Sequence, residues 1–521
     1  MGKGFGENNY LKKSKEGNYQ QLLGRAFHEH NKKNFIEAEI IYEKLFKLNI
    51  KNQIFYFNYG SLLESREKID KAFTIYKRAI KFFPMDPNFY SKLGLLKKKQ
   101  HKFDEAENLF IKSIELDNSF EFGYINLANL YLHLGQSKKA EKIYRKVLET
   151  NENSEFANLN LGSLLMDIGK FEEAKNLFLK TIEINPKSAY AYFCLSKLKN
   201  INKNENFKTK VFNDALLKNQ NKSGKVNIHF ARANIYHLEK NYKESQKNLV
   251  LGNSIKLLST GSDAEKRINF SNLICEKYSE NLMGYESKSE DIKYIFIVGM
   301  PRSGSTLIES IISVNENVFD LGESEAFPFS YRKWLNNNHK SSLFDIYNNE
   351  IKIDSIQNKN ITDKNLANYS FLPLIIKNIM GSKIIHCSRN PLDNILSIYR
   401  SNFTGGYSFS SSLIDIAKVL INQQKLMQTY KSLYPNYIFT VNYDDLVSNP
   451  ESEIRQLINW LKFEWNENYL YPHLNSRKVS TTSKVQVRAP INKKSLSNWK
   501  NYKDLLSPVI EYFEKQNLYI S

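Results

Sequence analysis

The sequence predicts two architectures in one chain: an N-terminal α-helical solenoid, then an α/β domain with a central parallel sheet. Three observations carry this. Ala38, Ala72, Ala106, Ala140 and Ala174 recur every 34 residues, and a period of that length marks stacked helical hairpins. The stretch YIFIV from Tyr294 is a continuous apolar run rich in β-branched and aromatic residues, the pattern of a strand buried on both faces. A glycine-containing loop and a helix with apolar spacing follow it at once, and further strand–turn–helix stretches come later.

The composition bounds what those architectures can do. At 521 residues the chain is too long for one ordinary domain. A hydrophobic fraction of 41% supplies sizeable cores, and 12 Pro with 21 Gly exclude collagen-like and Pro-rich linker proteins. The net charge of +19 would suit a nucleic-acid binder. Lys, Asn and Ile are abundant throughout, however, as in AT-rich genomes, so no nucleic-acid partner is expected. The charge does favour anionic ligands. Cys194, Cys275 and Cys387 are far apart and show no metal-ligand spacing; neither a disulfide framework nor a metal site is expected, and a reducing compartment is. The first residues, MGKGFGENNYLKKSKEGN, lack the apolar core of a signal peptide, and Gly6 breaks the myristoylation pattern. No apolar run approaches a membrane span. A cytoplasmic protein is expected, of unassigned oligomeric state.

Taken in order, residues 1–18 read as a polar tail. In the repeats, an aromatic follows each periodic alanine by four residues: Tyr42, Tyr76, Phe110, Tyr144 and Phe178. Small residues recur at Gly60, Gly94, Ala128, Gly162 and Ser196, with Leu62, Leu96, Leu130 and Leu164 two residues after the first four. Small residues admit close helix approach, and the aromatics fill the neighbouring grooves. Pro84 and Pro186 occupy matching inter-repeat positions, where a helix should end. This pattern resembles the tetratricopeptide repeat over residues 19–200. The resemblance implies a superhelix whose concave groove binds a peptide or protein. Residues 201–290 lose the register. Ala231, Ala233, Tyr236 and Tyr242 look like a degenerate repeat, read here as a cap and linker. The α/β domain is expected over 291–521.

That domain opens with GMPRSGST after the strand. A strand, a glycine loop and a helix start together hold an anion on backbone N–H groups. Gly299 and Gly304 have the Walker A spacing, but Ser305 and Thr306 follow, so the phosphate-binding Lys is missing. Arg302 supplies the charge instead. A second stretch, KIIHCSRNPLDNILSIYR, reads as strand, turn and helix. Arg389 stands at the strand's carboxyl end, Pro391 opens the helix, and Ser397 lies eight residues beyond Arg389. Arg offers planar bidentate donors to a phosphate, and Ser a short hydroxyl donor.

VGMPRSGSTLIES resembles the 5′-phosphosulfate loop of sulfotransferases that use 3′-phosphoadenosine 5′-phosphosulfate (PAPS). The Arg389 and Ser397 pair is similar to that family's 3′-phosphate site. The resemblance implies donor contacts from Arg302, Ser303, Gly304, Ser305, Thr306, Arg389 and Ser397. DLGESEAF, from Asp320, resembles the acidic segment of tyrosylprotein sulfotransferases and their bacterial relatives, which makes Glu323 the base, with Glu325 competing and His386 third. Lys364, in ITDKNLANYSF, matches the family's lysine near the transferring group. Tyr443, after the strand FTVN, borders the nucleotide or packs in the core. VRAPINKKSLSNWKNY resembles the family's C-terminal segment, which implies Ser497 near the 5′-phosphosulfate and Arg488 and Lys500 at the nucleotide's phosphates.

The expected function is transfer of a sulfuryl group from PAPS to a hydroxyl acceptor, without a metal. Glu323, Lys364, Arg302 and Ser497 form the catalytic set. The acceptor is a peptide, protein or glycan, engaged through the repeat groove. Two alternatives stand beside it: a P-loop kinase, and a non-catalytic repeat scaffold with a nucleotide-binding α/β domain.

Overall fold

The computed structural model describes residues 19–198, 201–279, 292–353, 356, 359–403, 405–475, 479, 481, 483 and 485–517. The predicted tail, 1–18, and the linker stretch 280–290 lie outside the described residues. The chain divides into two compact units, 1–161 and 162–521.

In the first unit, antiparallel helices alternate from Phe35–Lys47 through Gln53–Ser65, Ile69–Phe82, Pro87–Lys99, Phe103–Leu116, Glu121–His133 and Ser137–Thr150. The periodic Ala38, Ala72, Ala106 and Ala140 are fully buried, as are Tyr42, Tyr76, Phe110 and Tyr144. The small residues are obligatory for a geometric reason. A Cβ on Gly60 would lie 2.3 Å from the Tyr76 ring, and one on Gly94 2.5 Å from Phe110. Each aromatic therefore packs against the glycine of the helix just before its own. Pro84 falls two residues beyond the end of a helix at Phe82, as expected of a residue that cannot continue one.

The second unit begins in the same idiom, with helices Phe171–Ile184 and Ala189–Leu195. Three longer helices follow: α1 (Lys222–Leu238), α2 (Tyr242–Thr260) and α3 (Ala264–Ser279). Phe230 and Ala233 of α1, Leu249 of α2 and Ala264 of α3 share one buried cluster with Leu392, Ile395, Ile398 and Tyr399. Ile274 of α3 joins another cluster with Leu372, Ile375 and Tyr430. The stretch read as a degenerate cap is thus packed into the α/β core, and the compact units separate at 161/162 instead of near residue 200 or 290.

Five strands form the sheet: β1 (Tyr294–Gly299), β2 (Val318–Asp320), β3 (Asn360–Asp363), β4 (Ser382–Ser388) and β5 (Ile438–Asn442). They run parallel in the order β2-β3-β1-β4-β5. All six residues of β1 are buried. Phe296 and Val298 point into one cluster, and Ile295 and Ile297 into the other, which explains the unbroken apolar run. Three helices matter for the site: α4 (Ser305–Ile312), α5 (Pro391–Tyr399) and α6 (Leu413–Leu433). The chain leaves β1 toward β2 on one side and leaves β4 toward β5 on the other. The crevice outside the carboxyl ends of β1 and β4 is therefore the topological switch point, where ligands of open α/β sheets bind.

Candidate functional site

Every strand delivers one candidate residue just past its carboxyl end. Arg302 follows β1, Glu323 follows β2, Lys364 follows β3, Arg389 follows β4 and Tyr443 follows β5. The parallel sheet thus converts residues scattered over some 140 positions into one rim. They fall into two groups, one lining a cavity and one gathered around Glu309 of α4.

The first group lines a cavity of about 480 Å³, within the usual range for small-molecule sites. Its loop cannot accept larger residues at two positions. Gly299 has φ 146° and a Cβ there would lie 2.5 Å from the Cys387 carbonyl oxygen; Gly304 has φ 95° and a Cβ would meet the Tyr443 ring at 2.5 Å. Arg302 adopts a left-handed φ of 68° between them, a strained choice that turns its side chain across the crevice. Its Nε donates to Ser397 Oγ at 3.0 Å, its Nη2 to Gln486 Oε1 at 2.6 Å, and its Nη1 to Ser483 Oγ. Arg389 donates from Nη1 to the Arg302 carbonyl at 3.2 Å and from Nη2 to the Ser495 carbonyl at 2.7 Å. Its guanidinium lies over the Tyr443 ring at 4.7 Å, and Tyr443 Oη is 2.6 Å from Ser495 Oγ. Asn394 of α5 donates to the Pro301 carbonyl at 2.8 Å and fixes the loop against the helix. Arg389 Nε is buried with no partner among the described residues. Burial, then the charges of Arg389 and Arg400, push Arg302 down to about 10. An orphaned buried donor and a guanidinium crowded by other cations are what an anion would relieve.

The second group gathers around Glu309 of α4. Lys364 is almost wholly buried, with Nζ 2.8 Å from Glu309 Oε2 and 3.9 Å from Glu323 Oε1. Glu309 is equally buried, one turn into α4, while Glu323 is half-exposed. The acidic turn is stitched to β3: Leu321 N donates to the Thr362 carbonyl and Lys364 N to the Gly322 carbonyl, each at 2.9 Å. Partial burial, with help from Glu309, holds Glu323 above the usual carboxylate range, while Lys364 pulls it down. Next to Lys364, Asp363 is buried and accepts from Tyr347 Oη at 3.0 Å and Asn368 Nδ2 at 3.3 Å. Burial first, then Glu309 and Glu325, push it up to about 7.

The structure brings Arg302, Gly304, Thr306, Arg389, Ser397 and Tyr443 into one cavity. Ser303 and Ser305 are buried in the loop, and the Ser303 hydroxyl turns back to the Met300 carbonyl at 2.7 Å. The C-terminal residues are distributed differently from the expectation. Ser495 lines the cavity, whereas Ser497, in a left-handed φ of 54°, presents its backbone N–H to Asp393 Oδ2 at 2.7 Å. Arg488 donates to the carbonyls of Asn475 and Asp167, the latter at 3.3 Å. Lys500 is exposed and does not line the cavity. Glu325 accepts from Asn365 Nδ2 at 3.4 Å. His386 is buried in β4, where Gln423 Nε2 of α6 donates to its Nε2 at 2.9 Å; burial pushes it down to about 3.

Sequence reading missed Glu309, Asp363 and Arg400. Arg400 carried a usable signal, since it lies three residues after Ser397 and so on the same helical face. Glu309 is a lone charge in the apolar helix LIESIISV, which is itself a mark of a paired buried group.

Residues 294–467 match the sulfotransferase family model, and residues 29–196 match the HAT-repeat model of the Syf1/CRNKL1 splicing-factor C-terminus. An uncharacterized Aquifex aeolicus protein is 30% identical over 42% of this chain and 32% of its own length. The protein-tyrosine sulfotransferase of Drosophila melanogaster is 24% identical over 46% of this chain and 53% of its own. A Caenorhabditis briggsae protein provisionally named for the same activity is 27% identical over 39% of this chain and 80% of its own. The chain thus spans about a third of the Aquifex relative and about half of the Drosophila one. A solved tetratricopeptide repeat protein from Parabacteroides merdae covers 46% of this chain and 93% of its own at 18% identity, with a TM-score of 0.34. Residues 294–467 thus carry both the five rim residues and the match to the sulfotransferase family model, behind N-terminal helical repeats.

Proposed function

We propose that the protein transfers a sulfuryl group from PAPS to a hydroxyl acceptor. The observation that carries this is the cavity at the switch point, where a phosphate-type loop lacking the Walker lysine places Arg302 against Ser397 and leaves Arg389 Nε without a partner among the described residues. Arg389 and Ser397 are the contacts for the 3′-phosphate. Gly304, Ser305 and Thr306 present the amino end of α4 to the 5′-phosphosulfate. Arg302, bonded to Ser397, is assigned to the 3′-phosphate side in this reading, so the transferring group is left to Lys364.

In the reaction, the acceptor oxygen attacks sulfur as the bond from sulfur to the 5′-phosphate oxygen breaks. Glu323 takes the acceptor proton, and its raised pKa makes it a better base than a free carboxylate. The products are a sulfate ester and adenosine 3′,5′-bisphosphate. In this reading Lys364, 2.8 Å from Glu309 and 3.9 Å from Glu323, is the cation assigned to the departing phosphate. The names of the Drosophila and Caenorhabditis relatives favour a peptide tyrosine as acceptor over a glycan. The repeats, in this reading, bind the acceptor protein.

The test is incubation of the full chain with labelled PAPS and a panel of tyrosine peptides, glycans and small phenols. Label transfer to a hydroxyl acceptor, with affinity for adenosine 3′,5′-bisphosphate, is the expected result. Phosphoryl transfer from ATP, with no affinity for the bisphosphate, would overturn the assignment.

A further inference from the structure

The helices before the sheet do more than cover it. Arg400, the residue after α5, lines the same cavity as Arg302 and Arg389, and Asn234, His237 and Leu238 of α1 line it too. Arg400 Nη1 is 3.1 Å from His237 Nε2. A guanidinium only donates, so Nε2 must accept and the imidazole must carry its proton on Nδ1. That proton faces Tyr502 Oη at 2.9 Å; Tyr502 Oη lies 2.9 Å from Ser245 Oγ, which donates to the Ala233 carbonyl at 2.8 Å. A donor-only group at one end and an acceptor-only carbonyl at the other leave a single direction for the whole relay. Burial and the Arg400 charge push His237 down to about 3, so it stays neutral. The Tyr502 ring also lies under the Arg400 guanidinium at 5.5 Å.

The same helices grip the chain around Arg400. Asn253 of α2 donates to the Tyr399 carbonyl at 2.9 Å, Lys256 to the Phe403 carbonyl at 3.1 Å, and Asn402 to Asn227 of α1 at 2.8 Å. Among the described residues, the bond to His237 is the one side-chain hydrogen bond Arg400 makes. Its remaining donors are available to the cavity.

We propose that α1 and α2 are part of the donor site, and that His237 is a positioning residue that aims Arg400 at a phosphate of the bound nucleotide. This rests on the reading of the cavity as a nucleotide site. An arginine free to sample its rotamers would lose much of its order on binding; one held by an imidazole acceptor, an aromatic face and a fastened backbone is preorganised. The specificity of the donor site is then set partly by residues of the helical layer, outside the matched segment 294–467.

Calorimetry on the full chain tests this, with adenosine 3′,5′-bisphosphate and 5′-AMP as probes. Arg400→Leu should weaken bisphosphate binding by roughly 10-fold, the loss expected for one charge-assisted contact. His237→Leu should do nearly the same, and the double variant should be no weaker than Arg400→Leu alone. His237→Gln, which restores an acceptor, should recover most of the affinity. Comparison with 5′-AMP identifies the phosphate that Arg400 reads. Tyr502→Phe, a milder change should His237→Leu fold poorly, should cost roughly threefold in the parent and nothing in the Arg400→Leu background. Parent-like binding by His237→Leu, losses that multiply in the double variant, or no recovery in His237→Gln would overturn the positioning role. If the parent itself ignores the bisphosphate, the nucleotide reading falls and this inference falls with it.

Discussion

In the cavity, Arg302 and Arg389 are held by hydroxyls, an amide and main-chain carbonyls. Lys364, which does not line the cavity, is held by the carboxylate of Glu309, with Glu323 beyond. Uncharged partners orient a cation and leave its charge for a ligand. A carboxylate partner neutralises it and makes the pair a structural fixture, which is costly to break because either ion alone would be buried without compensation. The same loop and helix thus separate a charge kept available from a charge kept balanced. Substitutions in the two groups should therefore fail in different ways: in affinity within the cavity, in stability and turnover around Glu309.

The largest effect is expected at the half-exposed end of the balanced cluster. Glu323→Gln should lower turnover by about 10²–10⁴-fold with nucleotide affinity unchanged. Glu325→Gln should lose much less, and equal losses in steady-state assays would move the base or merge the two. Lys364→Met comes next, because it strands Glu309 inside the protein. It should destabilise the fold by ~3–5 kcal/mol. Thermal melts check this, and the pair change Glu309→Leu with Lys364→Met should recover part of the loss. A Lys364→Met variant that melts like the parent would erase the contrast between the two groups. Arg389→Ala should weaken adenosine 3′,5′-bisphosphate binding by ~1.5–3 kcal/mol with little change in melting temperature, read by calorimetry and a melt on the same sample.

The smallest effect concerns Asp363, pushed up from 3.8 to about 7 by burial and neighbouring carboxylates. The folded protein keeps a proton that the unfolded chain gives up, so stability falls as pH rises from about 4 to about 7 and stays low above that. Asp363→Asn removes this titration. Its melting temperature should therefore vary less across that window than the parent's, and an identical slope would place the titrating group elsewhere.

The repeats and the phosphate-type loop were legible because each is local. Ala72 and Tyr76 are one helical turn apart, and the 34-residue period repeats their contact. Gly299, Arg302 and Gly304 lie within one short loop, and a Cβ at either glycine would clash. Arg389 and Ser397 sit on one strand–helix unit, so their spacing already places them together. The C-terminal segment was less legible. Its family pattern suggested Ser497, Arg488 and Lys500, but which of its side chains turn inward depends on how the segment lies over the cavity, and that is decided by contacts with Asp393, Asp167 and Asn475.

By itself the sequence determined that helical repeats precede a parallel α/β domain, that a glycine loop without a Walker lysine follows β1, and that Arg389 and Ser397 share one strand–helix unit. These follow from periodicity and from residues only a few positions apart, where chain geometry leaves little choice. Only the tertiary structure decided that residues 201–279 complete the α/β core, that Glu309 neutralises Lys364 from 55 positions away, and that His237 meets Arg400 across 163. Such pairings depend on which buried faces find each other. An amphipathic helix announces that it has an apolar face, but nothing in its own sequence says which face will cover it.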